Sequence, residues 1–193
     1  FFKRTLLKRY VALTAGRFAW ARKTVNAPID REGSEIKVRQ TVGAGQAAVT
    51  RFERLAANNV LSLVAARPKT GRLHQIRVHL AYLGYPVLGD KLYTGDGAYY
   101  MKAVRRELVA QDLAALGAPR QMLHAKTLEL SHPITGKKLR LQSPLPEDFK
   151  LCLSAAGLEA PRCQALHPHQ AWTTAPSMAA VPSHWGKALS HAR

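Results

Sequence analysis

From Lys8 to Gly16 the chain alternates. Val11, Leu13 and Ala15 fall on one side and Tyr10, Ala12 and Thr14 on the other, which predicts a strand closed by a glycine turn. Weaker strand patterns follow over Glu35–Val42 and Ala47–Leu55, the second after the turn-forming stretch VGAGQ. Val60–Pro68 is an apolar, β-branched run suited to a buried strand. The period then changes: Leu73, Ile76, Leu80 and Leu83 recur at spacings of three and four, predicting a helix over Arg72–Leu83 with one buried stripe. Thr70 is placed to cap it, and Gly84 followed by Pro86 to stop it. A second amphipathic helix is expected over Ala103–Leu116, with Val104, Leu108 and Leu116 inward. QMLHAKTLEL and KKLRLQSPLP read as a hairpin joined through HPITGK, and PEDFKLCLSAAGL as a short closing helix. Strands outnumber helices and come in groups, so the fold class is α+β, with a mixed, mostly antiparallel sheet and flanking helices. Residues 1–158 form the expected folded domain. Over 159–193 Pro, His, Ala and Ser dominate and periodicity is lost, so a disordered tail is expected.

Hydrophobic residues make up 47% of the 193, ordinary for one globular domain. The charge is not ordinary: Lys and Arg number 29 against 12 Asp and Glu, a formal net charge of +17. Such a balance points to a polyanionic partner, above all nucleic acid. The basic residues also cluster, with Lys3, Arg4, Lys8, Arg9, Arg17, Arg22 and Lys23 all preceding the first acid, Asp30. No apolar run reaches the roughly 18 residues of a membrane span, so no membrane role is expected. Two cysteines, Cys152 and Cys163, are too few for a disulfide scaffold, which suits a reducing, cytoplasmic setting.

The polar chemistry concentrates in TGRLHQIRVHLAYLGYPVLGD, Thr70–Asp90. Taken singly, Lys69, Arg72 and Arg77 could be solvated charges, and His74 and His79 satisfied histidines. Together they converge beside one helix N-terminus, with Arg77 on the helical line of His74 and small Ala81. That arrangement can hold a phosphate backbone or a flipped nucleotide. Cys163, His167 and His169 match no standard zinc spacing, so no metal is expected, and no phosphate loop, nucleophile elbow or dinucleotide fingerprint is present.

TGRLHQIRVHLAYLGYPVLGDKLY closely resembles the central motif of the RluA-type pseudouridine synthases. KRYVALTAG is similar to the family's Lys-x-Tyr-x-Ala strand, AAVTRFERL to its next strand, and MLHAKTLELSHPITGKKLRLQSPLPEDF to its closing segment. The resemblance covers about Phe1 to Leu158. It implies a pseudouridine synthase-like fold and the isomerisation of uridine to pseudouridine in RNA, without metal or small-molecule cofactor. Ribosomal RNA is expected as partner ahead of transfer RNA, the sequence itself not choosing between them, and a monomer is expected. The resemblance also implies catalytic roles for two residues: Tyr10, packed against a flipped uracil, and Arg77, paired with a catalytic carboxylate. The expected RNA contacts are Lys8, Arg9, Lys69, Arg72, His74 and Gln75. One departure stands out. The family's aspartate lies in a His-Arg-Leu-Asp-x-x-Thr-Ser-Gly motif upstream of the tyrosine strand, and this chain contains no such motif. The expectation is an N-terminally incomplete catalytic domain whose nucleophile is missing from these 193 residues. The alternative is a non-catalytic RNA-binding remnant of the family.

Overall fold

The computed structural model describes residues 6–159 apart from 32 and 34. The stretch expected as a disordered tail therefore lies, from residue 160 on, outside the described residues. Six strands form one sheet in the order β2-β5-β6-β1-β7-β8, every neighbouring pair antiparallel. They are β1 (Leu7–Ala15), β2 (Arg22–Asn26), β5 (Val49–Ala57), β6 (Leu61–Pro68), β7 (Leu123–Ser131) and β8 (Lys138–Gln142). Two short strands, β3 (Ile29–Arg31) and β4 (Gln40–Val42), make a separate ribbon. The helices are α1 (Gln75–Tyr82), α2 (Ala98–Arg105), α3 (Ala110–Leu116) and α4 (Glu147–Ala155). This is the α+β class that the sequence predicts.

The alternation of β1 divides the core. Ala12 joins Phe18, Phe52, Val64 and Ala66 beneath Ile76 and Leu80 of α1, with Tyr10 packed at the margin. On the other face Val11 and Leu13 join Leu63 and Met122 beneath Phe149 and Leu153 of α4. The two faces are called here the α1 face and the α4 face. A third cluster places Val78 of α1 against Ile29, Ile36, Ala48, Leu92 and Tyr93.

That third cluster corrects the reading of α1. The helix is covered on two sides, by the sheet and by the ribbon, so Gln75 and His79 are buried along with the apolar stripe. Leu73, expected in that stripe, is 59% exposed because the helix begins only after His74. Thr70 does not cap it. Its hydroxyl accepts the Val49 N–H and donates to Gln75 Oε1 (2.8 Å), tying the loop to β5. The expected second helix is two. Arg106 closes α2 in the left-handed region (φ 61°), leaving Val104 exposed, and Leu116 is buried from α3.

Candidate functional site

The loop after α1 turns on Gly89, whose φ of 75° suits glycine; a Cβ there would collide with the Arg120 carbonyl. This close approach sets Asp90 beneath Arg77. Arg77 Nε donates to Asp90 Oδ2 (2.6 Å) and Nη2 to Oδ1 (2.7 Å), a bidentate pair whose carboxylate is fully buried. Asp90 Oδ1 also accepts the N–H groups of Leu92 and Tyr93. With four donors and no exposure, this carboxylate holds structure and is closed to a substrate.

The Arg77 guanidinium lies over the Tyr93 ring, 4.9 Å from its centroid. Tyr93 Oη accepts the Gln40 N–H (3.1 Å) and lies 3.1 Å from His74 Nδ1. Burial, then Arg77, holds His74 below its ordinary pKa, with Asp90 opposing. The ring is therefore neutral near pH 7 and shares a hydrogen bond with the Tyr93 hydroxyl whose direction follows the imidazole tautomer. Burial likewise pushes the Tyr93 phenol up, keeping it protonated. His74 itself sits at φ 55°, a left-handed conformation that a non-glycine residue adopts at a cost of about 1–3 kcal/mol, of the kind concentrated at binding sites.

His74, Arg77 and Asp90 line an open hollow of about 390 Å³ with Lys91, Arg120 and Gln121. It is walled by cations and sized for a small polar ligand. Tyr10 lines a neighbouring hollow of about 380 Å³ with Lys8, Ala125, Lys126 and Leu141. Both open on the α1 face. Gln121, Leu123 and Ala125, at alternate positions leading into β7, run from one to the other, about 13 Å at 3.3 Å per residue. The two residues expected to be catalytic thus share a side of the sheet, but in adjoining hollows. A register shift between Arg9 and Tyr10 bulges β7 opposite them.

The expected RNA contacts separate into groups. Lys8 Nζ approaches Gly71, in the loop that carries the exposed Lys69 and Arg72, and Arg72 Nε donates to the Ala47 carbonyl. Arg9 points to the α4 face, since neighbours on a strand alternate. Its side chain is 9% exposed and lies 3.6 Å from Glu129. Gln75 is 4% exposed and fully satisfied: Oε1 accepts from Thr70 and the Arg72 N–H, and Nε2 donates to Val49 O and Thr50 Oγ1. It fastens α1 to β5 and has nothing left to offer a base. His79 is fully buried between Thr50 and the Ala27 carbonyl. Sequence reasoning missed Tyr93, Lys91 and Arg120; their one signal is that the first two lie within three residues after Asp90.

Comparison with known proteins gives the same affiliation. Residues 1–82 match the family model described as RNA pseudouridylate synthase. The chain is 40% identical over 131 residues to ribosomal large subunit pseudouridine synthase D of Pseudomonas aeruginosa, covering 68% of this chain and 40% of that one. It is 40% identical over 142 residues to an uncharacterized RNA pseudouridine synthase of Bacillus subtilis, covering 74% and 44%. Among solved structures, human RNA pseudouridylate synthase domain containing 4 superposes with a TM-score of 0.59 at 27% identity, covering 81% and 64%. The chain belongs to the RNA pseudouridylate synthase family, in its RluA-type branch. It spans less than half the length of the curated relatives it matches.

Proposed function

We propose that this chain supplies the tyrosine strand and the arginine helix of a pseudouridine synthase that converts uridine to pseudouridine in RNA. Large-subunit ribosomal RNA is the substrate class suggested by the names of several relatives. The observation that carries this reading is the basic tract on the α1 face, from the Arg77 hollow along Gln121–Ala125 to Tyr10. Tyr10 offers a ring for a flipped base to pack on, and the hollow around Arg77 offers charge to an anion. Arg77 lines this hollow, and among the described residues its hydrogen bonds run from Nε and Nη2 to Asp90, none from Nη1. A catalytic carboxylate placed there would be kept ionised by the guanidinium, as a nucleophile requires.

Asp90 cannot be that nucleophile, because its oxygens are spent on Arg77 and two backbone N–H groups. Its hold on Arg77 is also what favours the second reading, an RNA-binding member of the family without chemistry. One experiment addresses both. The 193-residue chain is incubated with large-subunit ribosomal RNA transcripts, and binding and pseudouridine are measured, the latter by carbodiimide adducts that stop primer extension. RNA bound without product is the expected result, with activity appearing only in a polypeptide that also carries the aspartate motif. Product from the 193 residues alone would return the search to their own acids. Absence of activity from a polypeptide with both parts would favour the non-catalytic reading.

A further inference from the structure

Asp90 holds Arg77 along one edge only. Its two oxygens take protons from Nε and Nη2, which fixes where that edge of the guanidinium lies. An edge contact of this kind acts as a hinge: the plane can still tilt about it, and the tilt decides where Nη1 aims. Tyr93 limits that freedom. The guanidinium carbon lies over its ring, 4.9 Å from the centroid, and its own backbone N–H donates to Asp90 Oδ1 (3.3 Å). One residue thus touches both members of the pair. The ring is itself held at its far end. Oη accepts the Gln40 N–H of β4 (3.1 Å) and shares a hydrogen bond with His74 Nδ1 (3.1 Å), and the two rings meet at 86°. Tyr93 is also buried, in one apolar cluster with Ile29, Ile36 and Val78. A ring packed on its body and tied at its hydroxyl has little room to rock.

We infer that Tyr93 is a positioning residue for the uridine chemistry: it sets the tilt of the Arg77 guanidinium, and so the direction from which Nη1 meets a catalytic carboxylate. The inference rests on the proposed function for the identity of that carboxylate. Placement supports it. Gln40 of β4, His74 before α1 and Asp90 in the following loop all reach Tyr93, so this one residue ties the ribbon, the helix and the loop together at the guanidinium. His74 keeps a left-handed backbone (φ 55°) without capping α1 through its side chain. Among the described residues, the one hydrogen bond of its ring goes to Tyr93. Chemistry supports it too. A guanidinium holds a carboxylate in its charged form only from close, well-aligned contact. A shift of about 1 Å in such a group can cost about 100-fold in rate.

The test compares Tyr93→Phe, which keeps the ring and removes the hydroxyl, with Tyr93→Leu, which removes both. Each is made in the full 193-residue chain and checked for folding by thermal unfolding. Nitrogen-15 relaxation reads the order parameter of the Arg77 Nε–H, a signal assigned by its loss in Arg77→Lys. In the unsubstituted chain it should lie near the rigid value of about 0.85. Tyr93→Phe should lower it, and Tyr93→Leu should bring it toward about 0.6. A role in stability alone would lower the unfolding midpoint and leave this motion in the folded protein as it is. Activity is read in a polypeptide that also carries the aspartate motif. There Tyr93→Leu should lower kcat by up to about 100-fold with KM for RNA unchanged, and Tyr93→Phe should recover part of that loss. An unchanged order parameter in folded Tyr93→Leu, or in Tyr93→Phe where the leucine variant does not fold, would overturn the inference. So would an unchanged kcat in Tyr93→Leu. An unsubstituted polypeptide that forms no pseudouridine counts against the proposed function, a separate failure, and the relaxation measurement still decides whether Tyr93 holds Arg77.

Discussion

At the residue scale the Arg77–Asp90 pair joins stability to the site. A buried pair adds little over a well-packed apolar one, but removing one member leaves the other charged in a dry place. Asp90→Asn should therefore lower unfolding free energy by about 3–5 kcal/mol, read from urea denaturation. A loss under about 1 kcal/mol would mean that water reaches the Arg77 guanidinium freely. Two histidines make stability depend on pH. His74 and His79 are both held below their ordinary pKa, burial being the first cause in each. An unfolded histidine titrates near 6.5, so below that pH the unfolded chain binds more protons than the folded one. Stability is thus fully present above about pH 6.5 and falls as pH drops through the interval beneath it. The urea midpoint should decline between about pH 7 and pH 5, less steeply in His74→Gln and His79→Gln. Equal slopes in all three proteins would remove these rings from the account.

At the scale of elements, the sequence revealed whatever depends on one pattern and hid whatever depends on two. The alternation of β1, the apolar run of β6 and the hairpin of β7 and β8 are each written locally, and each is found. β2 and β3 were not foreseen: Arg22–Asn26 is short and polar and lies at the sheet edge, where only one neighbour constrains it. In α1 the assumption of a single buried stripe failed because the ribbon covers its second side. For the same reason Gln75 reads as an RNA contact from its neighbours, when two of its hydrogen bonds fasten the helix to β5 and two hold the loop before it. Gln75→Ala strips partners from Thr50, Val49 and the Arg72 N–H, and should cost about 1–3 kcal/mol. Hydrogen exchange should then quicken in α1 before it does in β1. Uniform loss of protection would show that α1 and the sheet open only together. Lys8 and Arg9 make the complementary point. Adjacent in sequence, they read as one basic patch, but a strand sends them to opposite faces, and only the register shows which cations each one joins.

At the scale of the whole molecule, charge and exposed apolar surface oppose each other. Leu128 pairs with Leu141 and lies opposite Lys8, while Leu6 and Leu141 line the hollow beside Tyr10. Leu139 and Leu141 are 38% and 56% exposed on β8, an edge strand that also carries Lys138 and Arg140. An open edge with apolar side chains invites pairing with a second copy, and charged side chains on it are a common defence. Here the defence is reinforced by a net charge of +17, which makes every copy repel every other. Repulsion of that kind is screened over about 10 Å at 0.1 M salt and about 3 Å at 1 M. The chain should therefore sediment as a 21.3 kDa monomer in dilute buffer and gain mass, in proportion to concentration, as salt approaches 1 M. Leu139→Lys/Leu141→Lys should suppress that gain without changing the unfolding midpoint much, since Leu141 is more than half exposed and Leu139 more than a third. RNA neutralises the same charge, so substoichiometric oligouridylate at low salt should promote self-association as salt does, with the leucine variant again resistant. A mass independent of both salt and RNA would mean that the edge is guarded by its own side chains and twist, and that the net charge serves nucleic-acid binding alone.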